Sequence, residues 1–109
     1  FSYKGALSPI GRTKTLPAGR ADRARFAVCS CSNHPFGFFN AYRNIANRAE
    51  LDGVIHLGDY IYEYAEGTYG QGAPIGRVPV PNKEIVTLTD YRQRFGQYRL
   101  DPDLQEAHR

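Results

Sequence analysis

The chain has 109 residues, of which 41% are hydrophobic and 13% aromatic, enough apolar material for one modest domain and too little for two. Its 14 basic and 11 acidic residues give a formal net charge of +3 that is spread along the sequence, so no basic patch predicts specific nucleic-acid binding. No apolar stretch is long enough to predict a membrane span, and no charged start followed by an apolar segment indicates a signal peptide.

Residues 1–22 combine a short alternating start with prolines, glycines and scattered basic residues. This pattern predicts the final strand of an upstream domain followed by a linker. The character of the sequence then changes, and residues 23–109 read as the main globular part of the chain.

A strand, a helix and a second strand follow within that globular part. The strands are predicted in "RFAVCSCS" and "GVIHLG", and the helix in "PFGFFNAYRNIANRAE", with Pro35 in its first turn. This order is a βαβ unit, so we expect an α/β fold with a parallel, buried pair of strands. An apolar stripe is predicted to face the sheet, formed by Phe38, Phe39, Tyr42, Ile45 and Ala46.

The last third begins with "EGTYGQGAPIGRVPVPNKE", whose glycines and prolines predict a long loop or lid. Two helices are expected after it. Thr89 is the predicted N-cap of the first, and Asp101 followed by Pro102 is the predicted start of the second. No stop signal follows that second helix, so we expect the C-terminus to be a truncation.

Chemistry-bearing residues follow both predicted strands. The ligand site of an open α/β sheet lies outside the carboxyl ends of its parallel strands, where Cys31 and Asp59 are expected. Gly58 allows a sharp turn before Asp59, and Tyr62 lies one helical turn beyond it. Carboxylate, phenolate and thiolate together suit iron.

The same residues can also be interpreted as packing residues without a chemical role. The tyrosines of "GDYIYEY" are also typical half-buried packing residues, and Cys29 and Cys31 are typical small buried hydrophobes. A disulfide between the two cysteines is disfavoured, because residues two apart on a strand are held too far from each other to bridge.

Three segments carry a resemblance to a known family. They are "RFAVCSCSNHPFGFFNAYRNIA", "LDGVIHLGDYIYEY" and "TLTDYRQRFGQYRLDPDLQEAHR", and together they span most of the chain. The sequence resembles the PhoD-type alkaline phosphatases, a branch of the calcineurin-like metallophosphoesterases. The resemblance implies a truncated piece of an α-β-β-α sandwich, with residues 1–22 forming the last strand and linker of an upstream β-sandwich domain and residues 23–109 the incomplete N-terminal part of the phosphatase domain.

The resemblance also implies a metal site. It assigns Cys31, Asp59 and Tyr62 as ligands of a ferric ion (Fe3+), with calcium ions (Ca2+) close by and Asp59 bridging the two metals. Cys29 is then a packing residue, because the family's cysteine ligand corresponds to Cys31. His34 and His56 are not at positions that the family uses as ligands, and His108 is interpreted as a helix-surface or packing residue.

The implied activity is metal-assisted hydrolysis of phosphomonoesters and phosphodiesters outside the cytoplasm. The remaining metal ligands are expected beyond Arg109, so this chain alone is expected to be inactive. Two alternatives are a non-hydrolytic α/β ligand-binding domain and a phosphotriesterase-like activity on the same scaffold. The turn after the first strand contains no glycine-rich phosphate-binding motif, which disfavours a nucleotide-binding domain.

Overall fold

The computed structural model describes all 109 residues, and it begins with a short antiparallel hairpin. Strands β1 (Ser2–Tyr3) and β2 (Ala6–Leu7) pair through a turn at Lys4 and Gly5. Both turn residues have positive φ, 47° and 83°, as a two-residue hairpin turn requires. A hairpin thus stands where the sequence predicts a single strand, and its membership of an upstream domain stays a prediction.

The predicted parallel pair is confirmed. Strands β3 (Phe26–Cys29) and β4 (Gly53–His56) pair in parallel, with Cys29 opposite His56 at their carboxyl ends. The prediction that the strands are buried is wrong for this chain, since the Val28 side chain is 60% exposed. Val54 and Ile55, consecutive residues of β4 that point to opposite faces, are exposed as well, so neither face of β4 is fully covered.

The predicted helix between the strands is shorter than its pattern suggests. A 3₁₀ turn, His34–Phe36, holds Pro35, and α1 (Asn40–Ala46) begins only after Gly37 interrupts the chain with a φ of 155°. The predicted stripe is therefore only partly correct. Phe39, the residue just before α1, and Tyr42 are buried, whereas Phe38 is 62% exposed.

Helix α2 (Leu88–Tyr98) starts two residues earlier than predicted, with Thr87 and not Thr89 as its N-cap. The Thr87 hydroxyl accepts a hydrogen bond from the Asp90 amide, and the Asp90 carboxylate accepts one from the Thr87 amide. A hydrogen bond from Lys83, whose ammonium lies 2.9 Å from the carboxylate, is the main reason that the pKa of Asp90 is lowered to about 2. The loop before α2 is irregular, as predicted, apart from a 3₁₀ turn at Ala73–Ile75.

Helix α3 (Pro102–Ala107) starts as predicted, with Asp101 as N-cap and Pro102 in the first helical position. One Asp101 oxygen accepts hydrogen bonds from the first-turn amides of α3. The other pairs with Arg77 at 2.9 Å in a site where both side chains are buried. This ion pair ties the loop before α2 to the start of α3.

The core lies between α1, α2 and α3. Its buried members are Phe39, Tyr42, Tyr98 and Leu104, and Cys29 and Tyr60 pack against them. None of the helices has the length and apolar content needed to cross a membrane. The α/β fold class is confirmed, and the core supports one edge of the β3–β4 pair.

Candidate metal centre at the carboxyl ends of the parallel strands

The segments that follow β3 and β4 run side by side beyond the end of the sheet. The Cys31 amide donates to the Gly58 carbonyl at 3.1 Å, and the Ser32 amide donates to the Asp59 carbonyl at 2.9 Å. These hydrogen bonds extend the parallel pairing past the strand ends. Cys31 and Asp59 are consequently neighbours although 28 positions separate them in the sequence.

Both of these residues have an unusual backbone conformation. Cys31 has a φ of 58° and Asp59 a φ of 55°, in the left-handed region that few residues other than glycine occupy. Gly58, directly before Asp59, has a φ of 120°. Such conformations cost free energy and concentrate at functional sites, where the surrounding structure holds them in place.

The three predicted ligand residues meet at one carboxylate oxygen. The Cys31 thiol lies 3.5 Å from Asp59 Oδ2, and the Tyr62 hydroxyl donates a hydrogen bond to the same oxygen at 3.2 Å. Cys31 and Asp59 are exposed, whereas Tyr62 is half-buried. Both cysteines are free thiols, and Cys29 packs against the core as the resemblance implies.

The position of Tyr62 is fixed from two sides. Its ring stacks on Tyr69, with 6.2 Å between ring centroids and 15° between planes. Its backbone carbonyl accepts a hydrogen bond from Arg94, a buried residue of α2 that also donates to the Tyr64 carbonyl. The segment that contains Tyr62 and Tyr64 is therefore hydrogen-bonded to α2.

The electrostatics of the cluster favour a protonated phenol in the absence of a cation. Burial, followed by the nearby Cys31 and Asp59 side chains, raises the pKa of Tyr62 well above its ordinary value. A phenolate at this position requires a strong positive charge close to its oxygen. A highly charged metal ion supplies such a charge, and thiolate, carboxylate and phenolate are suitable donors to ferric iron.

The donor set is partial. No three side chains among the histidines, cysteines, aspartates and glutamates lie close enough together to hold a metal ion. The cluster consists of two such side chains and a phenol, which leaves coordination positions of any metal open. Asp59 Oδ2 makes both contacts, so its second oxygen is free to face a second cation.

The histidines have other partners. The His34 ring is buried and bonded to the Arg77 carbonyl at 3.1 Å, and burial lowers its pKa. The His108 ring bonds to the Tyr60 hydroxyl at 3.0 Å. The His56 ring is bonded through Nε2 to the Tyr42 hydroxyl at 3.0 Å.

A cleft of about 440 Å³ opens beside the cluster. Cys31 and Tyr62 form part of its wall, and the rest of the lining is largely hydrophobic and includes the rings of Phe36 and Tyr69. A cleft of this size accommodates a small ligand next to the candidate ligands.

Two further contributors to the site have no recognisable signature in the sequence. Arg94 appears as one of several basic residues on a helix, and His56 as a lone histidine on a strand. Their importance comes from partners distant in sequence, which no local pattern encodes.

Residues 26–109 match the family described as PhoD-like phosphatase. Alkaline phosphatase D of Bacillus subtilis (strain 168) is 48% identical over 111 residues, which cover 99% of this chain and 18% of that protein. A solved structure described as "Structure of PhoD" superposes with a TM-score of 0.82 at 45% identity, over 96% of this chain and 20% of that one. The chain thus spans about a fifth of the length of these relatives.

Proposed function

Because the chain belongs to the PhoD-like phosphatase family, we propose that it is the N-terminal part of the catalytic domain of a metal-dependent phosphoric-ester hydrolase. Residues 23–109 form that part in this proposal, and residues 1–22 connect it to an upstream domain. The substrates are phosphomonoesters and phosphodiesters. Family membership is also our reason for proposing that the protein acts in the periplasm or outside the cell.

The observation that carries the proposal is the convergence of a thiol and a phenol on one Asp59 oxygen. Cys31, Asp59 and Tyr62 would hold a ferric ion, and the second Asp59 oxygen would face calcium, which prefers oxygen ligands. The remaining ligands come from chain outside these 109 residues, so the isolated chain is expected to be inactive.

The bound cations would supply charge stabilisation for the phosphoryl group and an activated water as nucleophile. The residues of this chain have more limited tasks. The left-handed conformations of Cys31 and Asp59 aim both side chains at one point. Arg94 and Tyr69 hold Tyr62 over the same point, and the cleft beside it admits the ester.

The proposal is tested by two aspartate substitutions at opposite ends of β4 in the full-length protein. Asp59→Asn removes the shared charge of the cluster, whereas Asp52→Asn removes an exposed charge that pairs with Lys14. We expect phosphomonoesterase activity to fall by more than about 100-fold in Asp59→Asn, since loss of even an outer partner of a metal ligand costs 10- to 100-fold. Asp52→Asn should retain wild-type activity.

The alternatives have distinct outcomes in the same assay. Full activity in Asp59→Asn contradicts the proposed site. Iron binding without hydrolysis of either ester class favours the non-hydrolytic ligand-binding domain. Faster hydrolysis of phosphotriesters than of both other classes favours the phosphotriesterase-like activity.

A further inference from the structure

Three side chains behind the candidate metal centre form a compact hydrogen-bonded cluster. The Tyr42 hydroxyl lies 3.0 Å from His56 Nε2, and the Ser32 hydroxyl lies 3.3 Å from the same nitrogen. The two hydroxyls are also bonded to each other. Ser32 and Tyr42 are buried and His56 is half-buried, so these contacts are protected from water.

The other ring nitrogen of His56 reaches the aspartate turn. The Gly58 amide donates a hydrogen bond to His56 Nδ1 at 3.2 Å. Nδ1 must therefore carry a lone pair, which places the proton of the neutral ring on Nε2. That proton is then directed at the hydroxyl oxygens of Tyr42 and Ser32.

The cluster connects both ligand-bearing segments to the core. Ser32 directly follows Cys31, and its amide bonds to the Asp59 carbonyl. Gly58 directly precedes Asp59, and Tyr42 lies on α1 within the buried core. The His56 ring thus links Tyr42 in the core to the Gly58 amide, which directly precedes Asp59 with its left-handed backbone conformation.

We propose that His56, oriented by Tyr42 and Ser32, is a positioning residue that fixes the Gly58–Asp59 turn and thereby sets the affinity of the cluster for a ferric ion. This inference rests on the proposed function and adds a residue to it. The hydrogen bond to Gly58 holds a conformation that the backbone does not favour by itself. Its loss lets the turn relax and displaces the Asp59 carboxylate from Cys31 and Tyr62.

Two substitutions in the full-length protein separate the nitrogens of the ring. Asn in place of His56 puts an oxygen where Nδ1 accepts from Gly58, and Gln puts an amide nitrogen where Nε2 donates to Tyr42. We expect His56→Gln to weaken ferric binding about tenfold, in the range seen for partners of metal ligands, and to shift the visible charge-transfer band. His56→Asn should recover most of that affinity.

The matched control is His108→Gln. His108 also makes a 3.0 Å hydrogen bond to a tyrosine hydroxyl, that of Tyr60, but it has no bond to the aspartate turn. Iron affinity is measured by competition with a chelator, and circular dichroism shows whether each variant is folded. The control should match the wild type in affinity and in band position.

Wild-type affinity and an unshifted band in His56→Gln overturn the inference, as does an equal loss in His108→Gln. If His56→Gln does not fold, Tyr42→Phe replaces it, because that change removes only one oxygen. A severalfold loss of iron affinity in Tyr42→Phe supports the inference, and an unchanged iron affinity overturns it. A wild-type protein that binds no iron contradicts the proposed function itself, and this inference with it.

Discussion

The helix half and the strand half of the molecule differ in how deeply they bury the side chains that define them. The helix half consists of α2, α3 and the loop of residues 65–86, and the strand half consists of β3, β4 and the segments that follow them. In the helix half, Arg94 and the Arg77–Asp101 pair are buried and hydrogen-bonded. In the strand half, apolar strand residues and two of the candidate ligands face water.

This difference shows how an open site acquires a defined geometry. Arg94 donates to carbonyls on both sides of it, at Tyr62 and Tyr64 and also in the segment 80–83. All of these hydrogen bonds go to backbone carbonyls, and none goes to a carboxylate. Through Arg94, the helix half thus fixes the backbone at Tyr62, the candidate ligand in the strand half.

The largest expected effect comes from removing that guanidinium. Arg94→Ala removes a fully buried side chain and leaves five backbone carbonyls without their charged donor, so we expect a loss of about 4 kcal/mol in the free energy of unfolding. Arg92→Ala removes an exposed arginine from the same helix and should change stability by less than about 0.5 kcal/mol. Urea unfolding of the chain, followed by far-UV circular dichroism, measures both; equal losses contradict the role assigned to Arg94.

A smaller effect is expected at the start of α2. Thr87→Ala removes the hydroxyl that caps the helix and should destabilise the chain by about 1 kcal/mol. Thr89→Ala, within the first turn of the same helix, should be neutral or slightly stabilising, because alanine is the better helix former. The reverse order in the same urea experiment shows that Thr89 is the cap after all.

The smallest effect is expected on the open side of the strands. Val28→Thr keeps the shape of a side chain that is 60% exposed, so the free energy of unfolding of this chain should change by less than about 0.5 kcal/mol. In the full-length protein the same substitution should cost more than about 1 kcal/mol if further chain covers that face. Equal small losses in both proteins would show that no further part of the domain packs on that face.

The sequence predicted the parts of the fold that depend on local pattern. The parallel pair, the irregular loop and the start of α3 follow from strand composition, glycine and proline content, and the Asp101–Pro102 signal. The prediction of Thr89 as the cap of α2 is wrong. Thr87 and Thr89 are the same residue type two positions apart, and only the reciprocal hydrogen bonds with Asp90 identify Thr87 as the cap.

The candidate site was predictable to a smaller extent. Strand-end position and the family resemblance predict that Cys31, Asp59 and Tyr62 lie close together, as they do in the structure. Their role as metal ligands stays a prediction. The hydrogen bonds of His56 and Arg94 were not predicted, because they join residues from different segments through side-chain directions that hydrophobic periodicity does not encode.

The role of Tyr62 as a metal ligand is tested most directly by a visible spectrum of the full-length, iron-loaded protein. Tyr62→Phe keeps the stacked ring and deletes only the phenol oxygen, while Tyr64→Phe does the same to a neighbouring ring 6.2 Å away. We predict a coloured wild-type protein, an unchanged Tyr64→Phe variant, and a Tyr62→Phe variant whose band is lost or shifted while circular dichroism is unaltered. An identical visible band and phosphatase rate in Tyr62→Phe would contradict the account and leave Tyr62 as a packing residue.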